Sequence, residues 1–374
     1  MSEHIETLII GGGQAGLAVG YHLARKSRPF VILEANERVG DSWRKRWDSL
    51  RVFTPAKFNG LPGMRFPAPA LSFPTKEAVA DFQSAYARRF KLPVRNSTKV
   101  SSLERDGERY MVTAGQTTFT ADNVVIATGA CQIPKVPAFA PHLDPRINQL
   151  HSSQYTSPAQ LRDGDVMVVG TGNSGAEIGL ELARNRRVWL AGSNHAEIPV
   201  KHGTFAAAFA MPVVRFLGTY VLTVDTPMGR KVQPQFLRAG APLVRTKMKD
   251  LVAAGVERVP RVVGVRDGLP LLADDRVLDP ANIVWCTGFK TDFDWIHVPA
   301  FGEDGRPMQY RGVVGSMPGL YFLGLEFQYA ATSGVLPGIG RDARYVAAHI
   351  MSRVPEHASS HESVGEYAAV SMPK

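Results

Sequence analysis

At 374 residues, with 44% apolar and 21% charged side chains, the chain is long enough for two globular units with cores of their own and is neither disordered nor fibrous in composition. Its formal charge of +9 is dispersed, the densest cluster being Arg44-Lys45-Arg46, and no nucleic-acid motif accompanies it, which excludes a nucleic-acid partner. Cys131 and Cys286 are the only cysteines and form no C-x-x-C pair, so a redox dithiol and a zinc framework are excluded and no metal site is expected.

Both cysteines read as small buried residues at strand ends, and such cysteine usage fits a reducing, cytoplasmic compartment. The start, Met1-Ser2-Glu3-His4-Ile5-Glu6, lacks the basic and apolar pattern of a signal peptide.

The first predicted unit is strand–turn–helix–strand from about Ile5 to Glu34. Its apolar run Leu8-Ile9-Ile10 feeds Gly11-Gly12-Gly13-Gln14-Ala15-Gly16, a G-x-G-x-x-G turn between a strand and a helix. In that context the first glycine permits the tight turn, the second lets a pyrophosphate approach the backbone, and the third lets helix pack on strand. The free N–H groups and dipole of the helix N-terminus favour the anion. Glu34, 23 residues after Gly11, ends the next apolar run. An acid there accepts ribose hydroxyls and repels a 2′-phosphate, which suits FAD or NAD.

An irregular, aromatic-rich segment spans Val39 to Pro74. A helix follows near Lys76–Lys91, with Val79, Phe82, Tyr86 and Phe90 at helical spacing. Short alternating strands occupy about Thr98–Val125, and the buried run Val124-Val125-Ile126 ends in Ala127-Thr128-Gly129. Pro134 to Pro145 reads as a connector.

A second βαβ unit starts near Asp165 with Val166-Met167-Val168-Val169-Gly170-Thr171-Gly172-Asn173-Ser174-Gly175. The spacing from Gly170 to Ser193 is again 23 residues, and Ser193, lacking the acid, tolerates NADP. Gly203 to Val224 is largely apolar but interrupted by Pro212 and Arg215, which reads as a buried or pocket-lining helix pair and not as a membrane-touching surface. Strands follow around Val256–Leu272 and at Asn282–Phe289, where Cys286-Thr287-Gly288 repeats the earlier A-T-G pattern. Gly319–Gly324 is a strand aimed at a glycine, Gly338–Ser352 a closing helix, and the residues beyond Val354 a loose polar tail. The fold class expected is α/β: two Rossmann-like dinucleotide-binding domains, the second inserted into the first. The boundaries are 1–155 and 288–354 for the outer unit, 156–287 for the insert and 355–374 for the tail.

With these pieces in order the chain resembles the flavin-containing monooxygenases, two-dinucleotide flavoproteins, over nearly its whole length to about residue 352. The resemblance rests on both glycine turns, Gly40-Asp41-Ser42-Trp43, both A-T-G-like turns and Leu150-His151-Ser152-Ser153-Gln154-Tyr155. The segment from Asp48 to Lys76 looks most like the plant indole-pyruvate monooxygenase branch and its bacterial relatives, and Gly324–Gln328 and Gly340–Ala343 look like those bacterial members. Tyr155 stands where Baeyer–Villiger members carry tryptophan, and Phe53 where animal members place an asparagine beside the flavin.

The resemblance implies FAD at Gly11, Gly13, Gln14, Ala15, Gly16 and Glu34, with contacts from Ser42, Trp43, Thr54 and Val100 and from Ala127, Thr128, Gly129, Gly324 and Gln328. It implies NADPH, with NADH as an alternative, at Gly170, Gly172, Asn173, Ser174, Gly175 and Ser193, with Lys201 or His195 supplying charge. Trp43 and Val100 read equally well as packing residues, and His151 as a positioning group and not an acid–base catalyst. The implied reaction uses NAD(P)H to reduce the flavin, dioxygen captured as a C4a-peroxide, and transfer of one oxygen atom to a small organic substrate in a dry pocket. The apolar 203–224 and aromatic 43–73 segments are candidate walls for it. The alternative is a reductase passing electrons to a quinone or protein acceptor. No integral membrane association is expected, and a homodimer is left open.

Overall fold

The computed structural model describes residues 2–200, 203 and 205–353; the polar tail and Lys201 lie outside the described residues. Its first sheet has seven strands, with Ser2–Ile10 parallel to Phe30–Leu33 on one side and to Thr117–Ile126 on the other. Val94–Arg95 extends the first side. The long strand Thr117–Ile126 is shared: its first half pairs antiparallel with Arg109–Ala114 of a meander completed by Val100–Asp106, its second half parallel with Leu320–Phe322. The last of these arrives almost two hundred residues later, so the chain leaves this sheet and returns to it. The second sheet is built between, from five parallel strands in the order Glu257–Val259, Val188–Ala191, Val166–Val169, Asn282–Trp285 and Asn148–His151. Its edge strand, Asn148–His151, precedes residue 156.

Parallel strands covered on both faces read as unbroken apolar runs, and alternate residues divide between the two faces. Ile9, Ile32, Val125 and Tyr321 pack under the helices Gln14–Ala24, Lys76–Arg89 and Leu336–Ser352. Leu8, Ile10, Val31, Leu33, Val124, Ile126 and Phe322 pack on the other face with Tyr110, Phe119 and Ile296. The insert repeats the scheme, Val166, Val168, Leu190 and Val284 on one face and Met167, Trp189, Ile283 and Trp285 on the other. Trp47, from the outer unit's irregular segment, joins Tyr155 in the insert's core.

Local signals explain the helix ends. Thr75 precedes Lys76–Arg89 and its hydroxyl accepts the Ala78 N–H at 3.2 Å. The closing helix starts at Leu336, two residues before the expected Gly338, because Pro337 sits in the first turn where no N–H is needed.

Two expectations are corrected. Cys131 is exposed, five residues past the end of its strand, in a loop beyond the Ala127–Gly129 turn. Cys286 does follow Asn282–Trp285 directly, and burial pushes its thiol up to about 12. The 203–224 segment is also misread as buried: Phe205 and Phe209 are 74% and 66% exposed and Phe216 and Tyr220 are 55% and 56% exposed. No helix among the described residues is long and apolar enough to cross a membrane.

Candidate functional site

The two glycine turns are superimposable in logic. Gly11 and Gly170 hold φ values of +113° and +115°, where L side chains are strained. Each lies against the end of a neighbouring strand: a Cβ on Gly11 would stand 2.5 Å from the Ala127 carbonyl oxygen, and one on Gly170 would collide with the Cys286 carbonyl. The third glycines are equally confined, since a Cβ on Gly16 would strike the Gly11 carbonyl and one on Gly175 the Gly170 carbonyl. The middle glycines differ. Gly13 and Gly172 precede the helices Gln14–Ala24 and Asn173–Leu182; a Cβ on Gly13 would meet nothing within 4 Å, and one on Gly172 only the His195 ring edge at 4.0 Å. Neither helix has a side-chain cap at this residue, so both N-termini present unpaired backbone donors towards open space.

Glu34 is buried beside the first cradle. Its Oε2 accepts the Gly12 N–H at 2.7 Å, and its Oε1 accepts the Asn36 N–H and side-chain amide at 2.8 and 2.6 Å. These bonds fix the carboxylate where a ribose would meet it and leave acceptor capacity on Oε2, since Oε1 already accepts two. Gly324 abuts the same helix, a Cβ there lying 3.1 Å from that of Ala15, and Gln14 donates to the Gly334 carbonyl at 3.2 Å. Gln132 ties the A-T-G turn together, its amide reaching Thr128 Oγ1 at 2.8 Å and the Gly129 carbonyl at 2.6 Å.

Other carried-over residues are occupied within the protein. Thr54 donates to Asn59 Oδ1 at 2.5 Å, and Asn59 returns a bond to the Thr54 carbonyl at 2.9 Å. Gln328 is buried and donates to the Phe322 carbonyl at 2.8 Å. Trp43 is half-buried against the helical core, Ser42 is exposed, and Val100 packs in the core on the meander face.

In the second cradle Asn173 fastens the segment 241–244: its amide donates to the Pro242 carbonyl at 3.1 Å and its Oδ1 accepts the Val244 N–H at 3.1 Å. Ser174 is half-buried in the first turn of that helix. The Thr171 hydroxyl donates to the Ser193 carbonyl at 2.7 Å, and Ser193 itself is exposed. His195 donates to the Ala241 carbonyl at 2.9 Å. Arg258, on the neighbouring strand, reaches Asn194 Oδ1 at 2.7 Å and so holds a guanidinium against the residue that follows Ser193.

His151 ends the edge strand Asn148–His151 and is buried. Its Nε2–H donates to the Gly288 carbonyl at 3.0 Å, which leaves Nδ1 to accept from the Ser153 N–H at 3.2 Å and to meet Ser153 Oγ at 2.9 Å. Burial lowers its pKa, against the Gly288 bond, with nearby Arg46 pushing the same way as burial. The imidazole is therefore neutral at pH 7 and holds the second A-T-G-like turn in place. Arg46 stacks its guanidinium over Phe289, 5.3 Å from the ring centre, and this places a cation where the two units meet.

Asn36, Thr171, Asn59, Gln132 and Arg258 escaped the sequence reading. Thr171 lay in plain view between two glycines; Gln132 reaches back to the turn three and four residues before it and Arg258 comes from the neighbouring strand of the same sheet, and nothing in their local sequence marks them.

The model of the pyridine nucleotide-disulphide oxidoreductase family matches residues 8–199. An uncharacterized CzcO-like oxidoreductase of Geobacillus kaustophilus is 36% identical over 94% of this chain and 100% of its own length. A probable indole-3-pyruvate monooxygenase of Arabidopsis thaliana, YUCCA4, is 28% identical over 80% of each chain. Among solved structures, a flavin-containing monooxygenase from Stenotrophomonas maltophilia is 25% identical, with a TM-score of 0.73 over 94% of this chain and 99% of that one. The family's name mentions a disulphide, yet neither Cys131 nor Cys286 has a cysteine three residues on, as a C-x-x-C pair requires. The chain belongs to the pyridine nucleotide-disulphide oxidoreductases, as an enzyme of their flavin-containing monooxygenase branch.

Proposed function

We propose that the protein uses NADPH and FAD to place one atom of dioxygen on a small organic substrate, with residues 1–155 and 288–354 holding FAD and residues 156–287 holding the nicotinamide nucleotide. The observation that carries this reading is the pair of open middle glycines, Gly13 and Gly172, each at an uncapped helix N-terminus in a turn locked by its neighbours. The residues fit the cofactors: backbone donors face the space a pyrophosphate needs, and Glu34 is oriented for ribose hydroxyls. Bound FAD supplies the hydride acceptor and the oxygen-activating chemistry.

The chain's own residues bind, orient and exclude water. His151 holds the Thr287-Gly288 turn, and Arg46 sets positive charge at the junction. Exposed Ser193, with Arg258 drawn close by Asn194, accommodates a 2′-phosphate where Glu34 in the first cradle rejects one. A relative carrying indole-3-pyruvate monooxygenase in its name makes amines, sulfides, ketones and 2-oxo acids a suitable substrate panel. The test is coupling: NADPH oxidised, oxygen consumed and product formed in equal amounts with little free peroxide. Turnover that needs a quinone or protein acceptor and proceeds without oxygen would give the reductase reading instead.

A further inference from the structure

The segment Phe205–Val221 winds as one helix in which a wide π turn (Ala206–Ala210), an α stretch (Met211–Phe216) and a second π turn (Leu217–Val221) succeed one another. Pro212 has no N–H to donate, which accounts for the widened turn before it. The inward side is small: Ala206, Ala207, Met211, Gly218 and Thr219 are buried, and Thr219 Oγ1 meets Thr332 Oγ1 at 3.1 Å. The outward side carries Phe205, Phe209, Val213, Phe216, Leu217 and Tyr220, all exposed. Two aromatic pairs stand on it, Phe205 with Phe209 at 5.1 Å and Phe216 with Tyr220 at 5.4 Å between ring centres. A clustered apolar face of this kind marks an interaction site.

The charge around it identifies the occupant. From Phe205 to Ala239 the sequence holds Arg215, Arg230, Lys231 and Arg238 against a single acid, Asp225, and of these four cations all but Arg215 are exposed. Asp225 is itself engaged, accepting from the Tyr310 and Tyr329 hydroxyls, each at 3.0 Å. The next helix, Pro227–Ala239, continues the pattern: Met228, Lys231 and Arg238 share one of its faces at helical spacing and all three are exposed. Bulky aromatic side chains beside uncompensated cations match the boundary of a lipid layer bearing negative headgroups. A two-fold contact with a second copy would set the same positive excess against itself.

We propose that this face docks the protein peripherally on an anionic lipid surface, the Phe and Tyr side chains entering the acyl boundary and Lys231 and Arg238 meeting headgroup phosphates. The docking does not depend on which reaction the enzyme performs. The docked helix is continuous with the outer unit through Thr223, which bridges to Ala330, and the Val224 N–H, which donates to the Tyr329 carbonyl at 2.8 Å.

Flotation of the flavin-loaded protein with phosphatidylglycerol–phosphatidylcholine vesicles, and with phosphatidylcholine vesicles alone, tests the proposal. The wild type is expected to float with the anionic vesicles and about tenfold less with the neutral ones, and to be released by added salt. The double variants Phe205→Ser/Phe209→Ser and Lys231→Gln/Arg238→Gln should each lower flotation about tenfold while keeping wild-type flavin absorbance, which shows that the fold survives. Wild-type protein that stays in the dense fraction with both vesicles overturns the proposal, as does unchanged flotation of the Phe variant. A Phe variant that splits a wild-type dimer, with no vesicle binding by either, overturns it in favour of a second copy.

Discussion

A Cβ at position 13 would meet no other protein atom within 4 Å, so the chain should fold around a valine there. The branched side chain would stand instead in the space required by a pyrophosphate. Gly13→Val is therefore expected to yield folded protein without FAD, read as a lost flavin absorbance at unchanged circular dichroism; wild-type flavin content would mean that the first cradle holds something else. Gly16→Val should behave differently and fail to fold, since its Cβ collides with the Gly11 carbonyl. At Ser193 an added guanidinium would join Arg258, and a charge-assisted bond to the 2′-phosphate is worth about 1.5–3 kcal/mol. Ser193→Arg should raise the NADPH-to-NADH ratio of kcat/KM about tenfold or more; an unchanged ratio would remove this position from phosphate recognition. Glycine spacing was legible because turn geometry is a backbone property. The engagements of Thr54 with Asn59 and of Gln328 with the Phe322 carbonyl were not, since each depends on loop geometry that residue type alone does not specify.

Among the elements, the helix Asn173–Leu182 carries a largely enclosed acid, Glu177, that costs stability when it ionises. Burial raises Glu177 from 4.5 to about 7, partly offset by Arg245, whose guanidinium lies 3.3 Å away. A carboxyl whose folded pKa is raised stabilises the native state below its unfolded pKa, and that contribution is lost as pH climbs to the folded value. The contribution of Glu177 to stability should thus fall between about pH 4.5 and 7. Glu177→Gln, which keeps a polar partner for Arg245, should gain on the wild type by roughly 2–3 kcal/mol from pH 5 to pH 8 in urea unfolding. Parallel pH profiles for the two proteins would show that Glu177 ionises freely. The strands and most helices were readable from period and caps. The helix at Phe205–Val221 was misjudged because hydropathy counts apolar side chains without saying which of them face protein, and the π turns shift the face that a regular helix would present.

At the scale of the molecule, the insertion was legible from the paired A-T-G-like turns at Ala127 and Cys286, each of which closes a glycine turn from the neighbouring strand. How the units are held was not, because it rests on single long-range contacts. Trp47 leaves the outer unit to pack beside Tyr155, whose hydroxyl donates to Glu181 at 2.7 Å. Removing that indole should cost about 3–5 kcal/mol, and Trp47→Ala is expected to lower the midpoint of thermal unfolding, most of all for a transition that frees the insert. A midpoint matching the wild type would show that the contact is dispensable. The two chain crossings between the units run side by side, Ile133–Pro134 and Phe289–Lys290 paired as an antiparallel ribbon. Crossings tied to one another in this way oppose translation and separation, yet torsion about their common axis leaves the tie intact. The inserted unit is thereby left one soft degree of freedom, a swivel about that axis relative to the outer unit.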